Sequence, residues 1–337
     1  MLLRPEIAAL RGDDSPQRRA QAALIAQMDA WRAQAQPAAV LADLQRFEQG
    51  LPLGDCPALA ALFAPGDPSG PALVAGLISA TLAQLSADPL GHVALRHSTD
   101  GITSTLLLGQ SGLATLTLVA IDGVGLARSA APRTINYAPG EAFEQILAGS
   151  ARAEMVRCVL GTGPLESADA TLQREALDLL PGVCLARDCR REALLLQGVA
   201  GRLVTLRLHR RQEGTDPVRE YQLDSGKLLH RAAASPAQSR YELMIALLGR
   251  MGRADAAPLL ASMALGPDPA PLRWQALREC LGLDTASGFA ALGQLARRAG
   301  DPLAAPAGAL RGQLLESYPQ LARIEAQNEA ENILCPA

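Results

Sequence analysis

The chain has 337 residues, of which 31 are basic and 34 acidic, so its net charge is only −3 at neutral pH. Nucleic-acid binding needs clustered Lys and Arg or a platform of aromatic side chains, but the arginines are scattered and aromatic residues make up 3% of the chain. We therefore expect no nucleic-acid partner. The length allows two or three domains with a sizeable core.

The N-terminal sequence lacks the charged-then-apolar pattern of a secretory signal, and no uninterrupted apolar run approaches about 18 residues. None of the six cysteines forms a CxxC pair, and Cys184 and Cys189 have no neighbouring His, so a zinc site is not indicated. Abundant Ala, Leu and Arg are typical of a GC-rich bacterial genome. We expect a cytoplasmic bacterial protein with reduced thiols and no membrane span.

Residues 1–87 are predicted to be helical. Ser15-Pro16 is a typical helix start, with Ser as the N-cap and Pro in the first turn, and Leu24 and Trp31 then fall on one face. A further helix is predicted from the spacing of Leu73, Val74, Leu77, Ile78, Leu82 and Leu85.

Between 88 and 234 the periodicity changes. Thr, Val and Leu alternate with polar residues between turns rich in Gly and Pro, which is typical of many short antiparallel strands. Two stretches, about 89–158 and 180–232, look like copies of one unit, because each has a Leu-Leu-Leu run followed by Thr-Leu-x-Leu. We predict that they superpose as two halves, with Gly112 and Gly201 at equivalent turns.

Each copy contains two glycine-centred motifs. In the first copy, Gly91 is followed after five residues by His97, and Gly140 is followed by Glu144. No second His or Glu stands at the expected place after His97, so this copy offers few groups that could bind a ligand or a metal.

The second copy is richer in charged side chains. Gly182 is followed after five residues by Asp188, and then by Arg190 and Glu192. His230 stands in its second motif.

The glycine spacing, the turns and the repeated unit resemble the cupin superfamily. The resemblance implies a small antiparallel jelly-roll barrel, in which the family's motifs hold a metal with His and Glu ligands. These ligands are largely missing here, and Arg190 takes the place of the second His, where its charge would repel a divalent cation. Guanidinium pairs with carboxylate or phosphate instead, so we expect no cofactor and a small acidic ligand.

The candidate ligand-binding residues are His97, Glu144, Asp188, Arg190, Glu192 and His230, with His209 as an outside candidate on the same strand face as Thr205 and Arg207.

Helical order returns after Ser235, and we predict helices near 254–264, 271–282, 285–298 and 304–317, followed by a polar tail at 326–337. The sequence from Asp268 through Leu272-Arg273 to Leu281 resembles the HEAT-repeat helix signature. That resemblance implies stacked helix pairs over about 235–325 that bind a protein partner. An ordinary helical cap on the barrel is the alternative.

The predicted fold class is α+β multidomain, with a helical N-terminal region, a duplicated cupin-like β core and an all-α C-terminal region. The hypothesis we favour is a non-catalytic binding protein, with a small acidic ligand or peptide in the barrel and a protein partner on the helices. The alternative is a metal-dependent cupin enzyme, a dioxygenase or isomerase using Fe, Mn or Zn at Asp188, Glu192 and His230. An assembly subunit that forms a homodimer remains a third possibility.

Overall fold

The computed structural model describes residues 12–160, 169–212, 216–233 and 235–323. The chain forms two compact units, with the boundary between Arg231 and Ala232. The first unit holds the N-terminal helices together with the strands, and the second is helical.

The helices that precede the strands are α1 Ser15–Arg32, α2 Ala35–Glu48, α3 Pro57–Ala61 and α4 Ser69–Ala87. Trp31, Phe47 and Leu77 from these helices share one buried core with Leu116 and Leu208, which lie on strands. The helices therefore cover one face of the larger sheet. The first helix begins at Ser15 with Pro16 in its first turn, but its N-cap residue is Asp14, so the predicted N-cap role of Ser15 is wrong.

Helix α4 departs from the expectation of no membrane span. It is long and apolar enough to cross a membrane by length and composition, because its sequence contains no charged residue. The sequence of this helix contains no uninterrupted apolar run of about 18 residues, because Ser, Thr and Gln interrupt it. Leu73 and Leu77 pack into the core, whereas Ile78 and Leu82 are exposed. The core helix of a soluble protein meets the same two criteria, so the expectation of no membrane span stays a prediction.

The strands are β1 His97–Thr99, β2 Thr103–Ser111, β3 Ala114–Asp122, β4 Thr134–Tyr137, β5 Gly140–Leu160, β6 Ala170–Leu179, β7 Cys184–Asp188, β8 Glu192–Arg211, β9 Val218–Gln222 and β10 Leu228–Ala232, with a short helix α5 at Gly123–Arg128. A seven-stranded antiparallel sheet has the order β1-β2-β3-β8-β5-β6, and β7 also pairs with β5. A three-stranded sheet has the order β10-β9-β4.

The two long strands β5 and β8 pair along most of their length, and their register shifts near the middle. Gly149 lies at one of these irregularities with a φ of +80°. A Cβ at this position would lie 1.9 Å from the carbonyl oxygen of Arg202, so only glycine fits without moving the backbone.

The predicted equivalence of the two copies is wrong. Gly112 lies in the tight turn between β2 and β3, whereas Gly201 lies inside the continuous strand β8. The Leu-Leu-Leu and Thr-Leu-x-Leu runs therefore form a hairpin in the first copy but share one strand in the second. Gly201 has a left-handed φ of +67° and lies where the pairing of β8 with β5 is interrupted between Ala200 and Val204, so the glycine stands at an irregularity inside the strand rather than in a hairpin turn.

Arg210 links the helices to the sheet from the face opposite to His209. Its guanidinium lies 4.0 Å from the ring centroid of Phe47, donates to the carbonyl oxygen of Leu51 at 3.0 Å and pairs with Glu141. The guanidinium of Arg210 therefore contacts both the end of α2 and the adjacent strand β5.

The helical unit contains α6 Pro236–Arg250, α7 Ala257–Ala264, α8 Ala270–Leu283, α9 Thr285–Ala296 and α10 Ala304–Ser317. These bounds agree closely with the predicted helices. Leu277, Leu292 and Leu295 are fully buried in one core, and Leu281 and Trp274 pack against it, as expected. The HEAT resemblance itself stays a prediction.

A buried ion pair crosses this helical core. The guanidinium of Arg273 donates to the carbonyl oxygen of Ala264 at 3.0 Å and to the two carboxylate oxygens of Asp301 at 3.3 and 2.6 Å. The hydrogen bonds from Arg273 lower the pKa of Asp301. The Leu272-Arg273 pair noted in the sequence thus has one apolar and one ionic role in the same core.

Replacing Leu277 with Ala should lower the free energy of unfolding of the helical unit by about 2–5 kcal/mol, because a fully buried leucine loses its packing and leaves a cavity. Urea unfolding followed by tryptophan fluorescence measures it, since Trp274 lies on the same helix. The control is Leu243→Ala, because Leu243 is 69% exposed and should cost about 0.5 kcal/mol or less. Equal losses in both variants would contradict the buried position of Leu277.

Candidate functional site

A cavity of about 560 Å³ lies inside the strand-containing unit, on the face of the larger sheet that the helices do not cover. Successive side chains of a strand point to opposite faces, so the even-numbered residues Leu206 and Leu208 face the helices while Thr205, Arg207 and His209 face the cavity. The volume lies in the range of small-molecule pockets.

Glu144, on β5, is the most deeply buried charged group in this cavity, with 1% exposure. Arg187 donates through Nη2 to its Oε1, and Nε of Arg207 lies 2.9 Å from the same oxygen. Burial alone would raise the pKa of Glu144, but the charges of Arg207 and Arg187 outweigh burial and the pKa lies below its ordinary value. Glu144 is therefore a carboxylate at neutral pH, and the three groups carry a net charge of +1.

The register of the strands explains this arrangement. Glu144 lies opposite Arg207 in the pairing of β5 with β8, and Ala142 lies opposite both His209 on β8 and Arg187 on β7. Ala142 has the smallest side chain of this set, which leaves the space across which Arg187 reaches Glu144.

His209 is the histidine nearest to this ionic group and also lines the cavity. Burial is the main cause that lowers its pKa below the ordinary value, and the positive charges of Arg207, Arg211 and Arg187 lower it further. His209 is therefore neutral at pH 7 and can donate or accept a hydrogen bond at a ligand.

Several cavity-facing polar atoms have no hydrogen-bond partner within the part of the chain that the structure describes. They include Nε of Arg187 and the hydroxyl oxygen of Thr205, which is 2% exposed. A buried polar group without a partner costs free energy, so these atoms are suited to contact a bound ligand.

Cys189 also lines the cavity, after β7. Burial raises the pKa of its thiol above the ordinary value. The thiol is therefore protonated at neutral pH, and it lacks the thiolate character of a reactive cysteine.

The structure brings only part of the predicted residue set together. Glu144 lies in the cavity, as does the outside candidate His209. His97 on β1 and His230 on β10 are exposed and line none of this cavity. This cavity therefore gives no support to ligand roles for the two histidines, and those roles stay predictions.

Asp188, Arg190 and Glu192 lie together at the turn between β7 and β8, outside the cavity. The backbone N–H of Arg190 donates to Asp188 at 3.0 Å, and that of Asp188 donates to Glu192 at 3.3 Å. Asp188 and Arg190 are exposed. These contacts organise a surface turn outside the cavity, and the predicted ligand role of this set stays a prediction.

Sequence reasoning missed Arg187 as a site residue and mentioned Arg207 only as a strand neighbour. The available signal was the polar face with a period of two residues, Thr205-x-Arg207-x-His209 on β8 and Thr115-x-Thr117 on β3. Such a face on a strand whose other face is apolar indicates a polar interior.

The residues of this cavity do not fit a metal ion. Across residues 12–160, 169–212, 216–233 and 235–323, no group of three or more His, Cys, Asp and Glu lies together as metal ligands would. Asp188, Glu192 and His230 therefore form no ligand set. Glu144 is already engaged by Arg187 and Arg207, whose charges would oppose a divalent cation.

Comparison with solved structures gives matches that cover about a third of the chain. A cupin superfamily protein from Desulfitobacterium hafniense is 15% identical with a TM-score of 0.22, and the match covers 34% of this chain and 83% of that protein. KdgF from a Halomonas species is 12% identical with a TM-score of 0.24, over 35% of this chain and 89% of that protein. Vicilin from hazelnut, Corylus avellana, is 12% identical with a TM-score of 0.25, over 39% of this chain and 35% of that protein.

At such low identities and TM-scores these matches assign neither a family nor an activity, and the resemblance to cupins stays a prediction. No protein-family model matches the chain, and no curated protein sequence matches it.

Replacing Glu144 with Gln should lower the free energy of unfolding by about 3–5 kcal/mol, because the buried guanidiniums of Arg187 and Arg207 lose their counter-charge. Urea unfolding measures the change. The control is Glu175→Gln, which removes an exposed ion pair with Arg157 and should cost about 1 kcal/mol or less. Similar small losses in both variants would contradict the role of Glu144 as the buried counter-charge.

Stability should fall as the pH drops below about 6.5, the ordinary pKa of histidine, in part because of His209. Its pKa is lower in the folded chain than in the unfolded chain, so below 6.5 the unfolded chain binds more protons and gains free energy relative to the folded one. This contribution is fully present above 6.5 and is lost as the pH falls.

Urea unfolding at a series of pH values from about 7.5 to about 5.5 tests this. His209→Gln should lose less stability over that window than the wild type. His97→Gln, which removes an exposed histidine, should follow the wild type. A His209→Gln curve parallel to the wild type would contradict the expected shift.

Proposed function

We propose that this chain is a cupin-like binding protein, and that its strand cavity holds a small anionic ligand whose acid group sits at Arg187 and Arg207. The observation that carries the proposal is the excess of positive charge at the cavity wall, since the two partly exposed guanidiniums share the single buried carboxylate of Glu144. An incoming carboxylate would neutralise the remaining charge inside a site of low dielectric.

Guanidinium geometry supports this proposal. Each guanidinium has five N–H donors, and Glu144 engages only some of those on Arg187 and Arg207. Arg207 is 36% exposed and Arg187 12%, so both are partly accessible from the cavity side. The acidic ligand expected from the sequence remains part of the proposal. Arg187 and Arg207 would bind it, in place of Arg190.

We also propose that the helical unit binds a protein partner, which would make the whole chain an adaptor between a ligand and a protein. In support, α6 carries an exposed apolar stripe formed by Leu243, Leu247 and Met251. Charged and polar residues usually occupy such positions on a surface helix.

Replacing Arg207 with Met should weaken binding of a small carboxylate about 10- to 100-fold, because one charge-assisted hydrogen bond and a full positive charge are lost. Isothermal titration calorimetry of the purified full chain with butanoate and with inorganic phosphate gives the affinities. The matched control is Arg190→Met, an exposed arginine outside the cavity, which should leave both affinities within about twofold of the wild type.

Equal losses of affinity in Arg190→Met and Arg207→Met would overturn the cavity site.

Elemental analysis provides a second check. About one equivalent of metal per chain, lost in His209→Gln, would overturn the anion proposal and favour a metal-dependent enzyme.

A further inference from the structure

The lining of the cavity changes from polar to apolar along the strands, and this change indicates the chemical class of the ligand. Resting on the proposed anion site, we infer that the ligand is an amphipathic monocarboxylate: one acid group at the arginines and a continuous apolar body of several carbons. A small polyhydroxylated acid fits the same arginines but not the rest of the cavity.

The polar end of the cavity consists of two neighbouring rows across the sheet. One row runs from Thr115 on β3 through His209 on β8 to Arg187 on β7, and the next joins Thr117 and Arg207 to Glu144. All of these side chains line the cavity. The charges of the cavity are therefore confined to one end of the strands.

In the adjacent row of residues the lining of the cavity changes from polar to mostly apolar. Here Val119 on β3 lies opposite Thr205 on β8, and Thr205 lies opposite Ile146 on β5. Thr205 is the only polar member of these three, and its buried hydroxyl has no partner within the described part of the chain. One polar atom of a ligand, next to its acid group, would satisfy that hydroxyl.

Beyond this row the cavity is apolar. Ile121 lies opposite Leu203, and Leu179, Leu194 and Leu196 of the same apolar cluster also line the cavity. These five side chains offer no hydrogen-bond donor or acceptor. Hydroxyl groups placed here would lose their water partners without replacement, which costs free energy for each group, whereas methylene groups would gain from burial.

The apolar end of the cavity borders a packed cluster of side chains. Ile121, Leu179 and Leu203 belong to a buried apolar cluster, yet they still border the cavity. A fully packed core leaves few voids larger than a water molecule, so a cavity of about 560 Å³ next to this cluster is room for an apolar group.

The decisive experiment is a chain-length series. Calorimetric titration of the full chain with straight-chain monocarboxylates from butanoate to decanoate should show affinity rising about fourfold for each added methylene until the apolar end is filled. Gluconate is the matched comparison, because it has the six carbons and single carboxylate of hexanoate but carries hydroxyls. It should bind at least tenfold more weakly than hexanoate.

Two variants separate the parts of the site. Arg207→Met should weaken every acid by a similar factor and leave the dependence on chain length unchanged. Leu194→Gln, at a half-buried position of the apolar end, should flatten that dependence and leave butanoate binding within about twofold of the wild type. If Leu194→Gln does not fold, Leu196→Gln tests the same wall, since Leu196 is also half-buried.

Affinity that does not depend on chain length, or gluconate binding more tightly than hexanoate, would overturn the inference while the anion site stands, provided that Arg207→Met still weakens binding. Carboxylates that bind equally well to the wild type and to Arg207→Met would instead overturn the anion site itself. The two failures are therefore distinguishable.

Discussion

The buried carboxylate of Glu144 is the constraint on which the interior of the strand-containing unit depends. Without it, Arg187 and Arg207 would place two positive charges side by side at the cavity wall with no counter-charge between them. With it, the group keeps one net positive charge, which an anionic ligand can neutralise. The same contact joins β7 and β8 to β5, so it contributes to the architecture and defines the chemistry of the cavity.

The larger sheet separates two environments because neighbouring side chains on each strand point to opposite faces. On one face Leu206 and Leu208 pack under the N-terminal helices, and on the other Thr205, Arg207 and His209 line the cavity. The helices thus supply a stable apolar layer, which frees the opposite face to carry polar groups. A shift of one residue in β8 would exchange these two faces and bury the charges under the helices.

The resemblance to cupins concerned a scaffold and the position of a ligand. The strand region forms antiparallel sheets, and its interior holds charged side chains. The residues in the places of the family's metal ligands, from His97 to His230, mostly face away from that interior. The polar groups inside the cavity are chiefly arginine and threonine, which suit an acid better than a cation.

The sequence alone determined the helices and the strand-rich region, because local periodicity and capping residues such as Ser235 depend on near neighbours in the chain. It also indicated an acidic ligand through its arginines, but it could not say which of them face inward. That choice between Arg187 and Arg190 depends on the pairing of β7 with β5, and the turn-like glycine Gly201 lies in a strand for a similar reason. Only the tertiary structure decides such pairings, since they join residues far apart in sequence and a one-residue change of register reverses which face each side chain occupies.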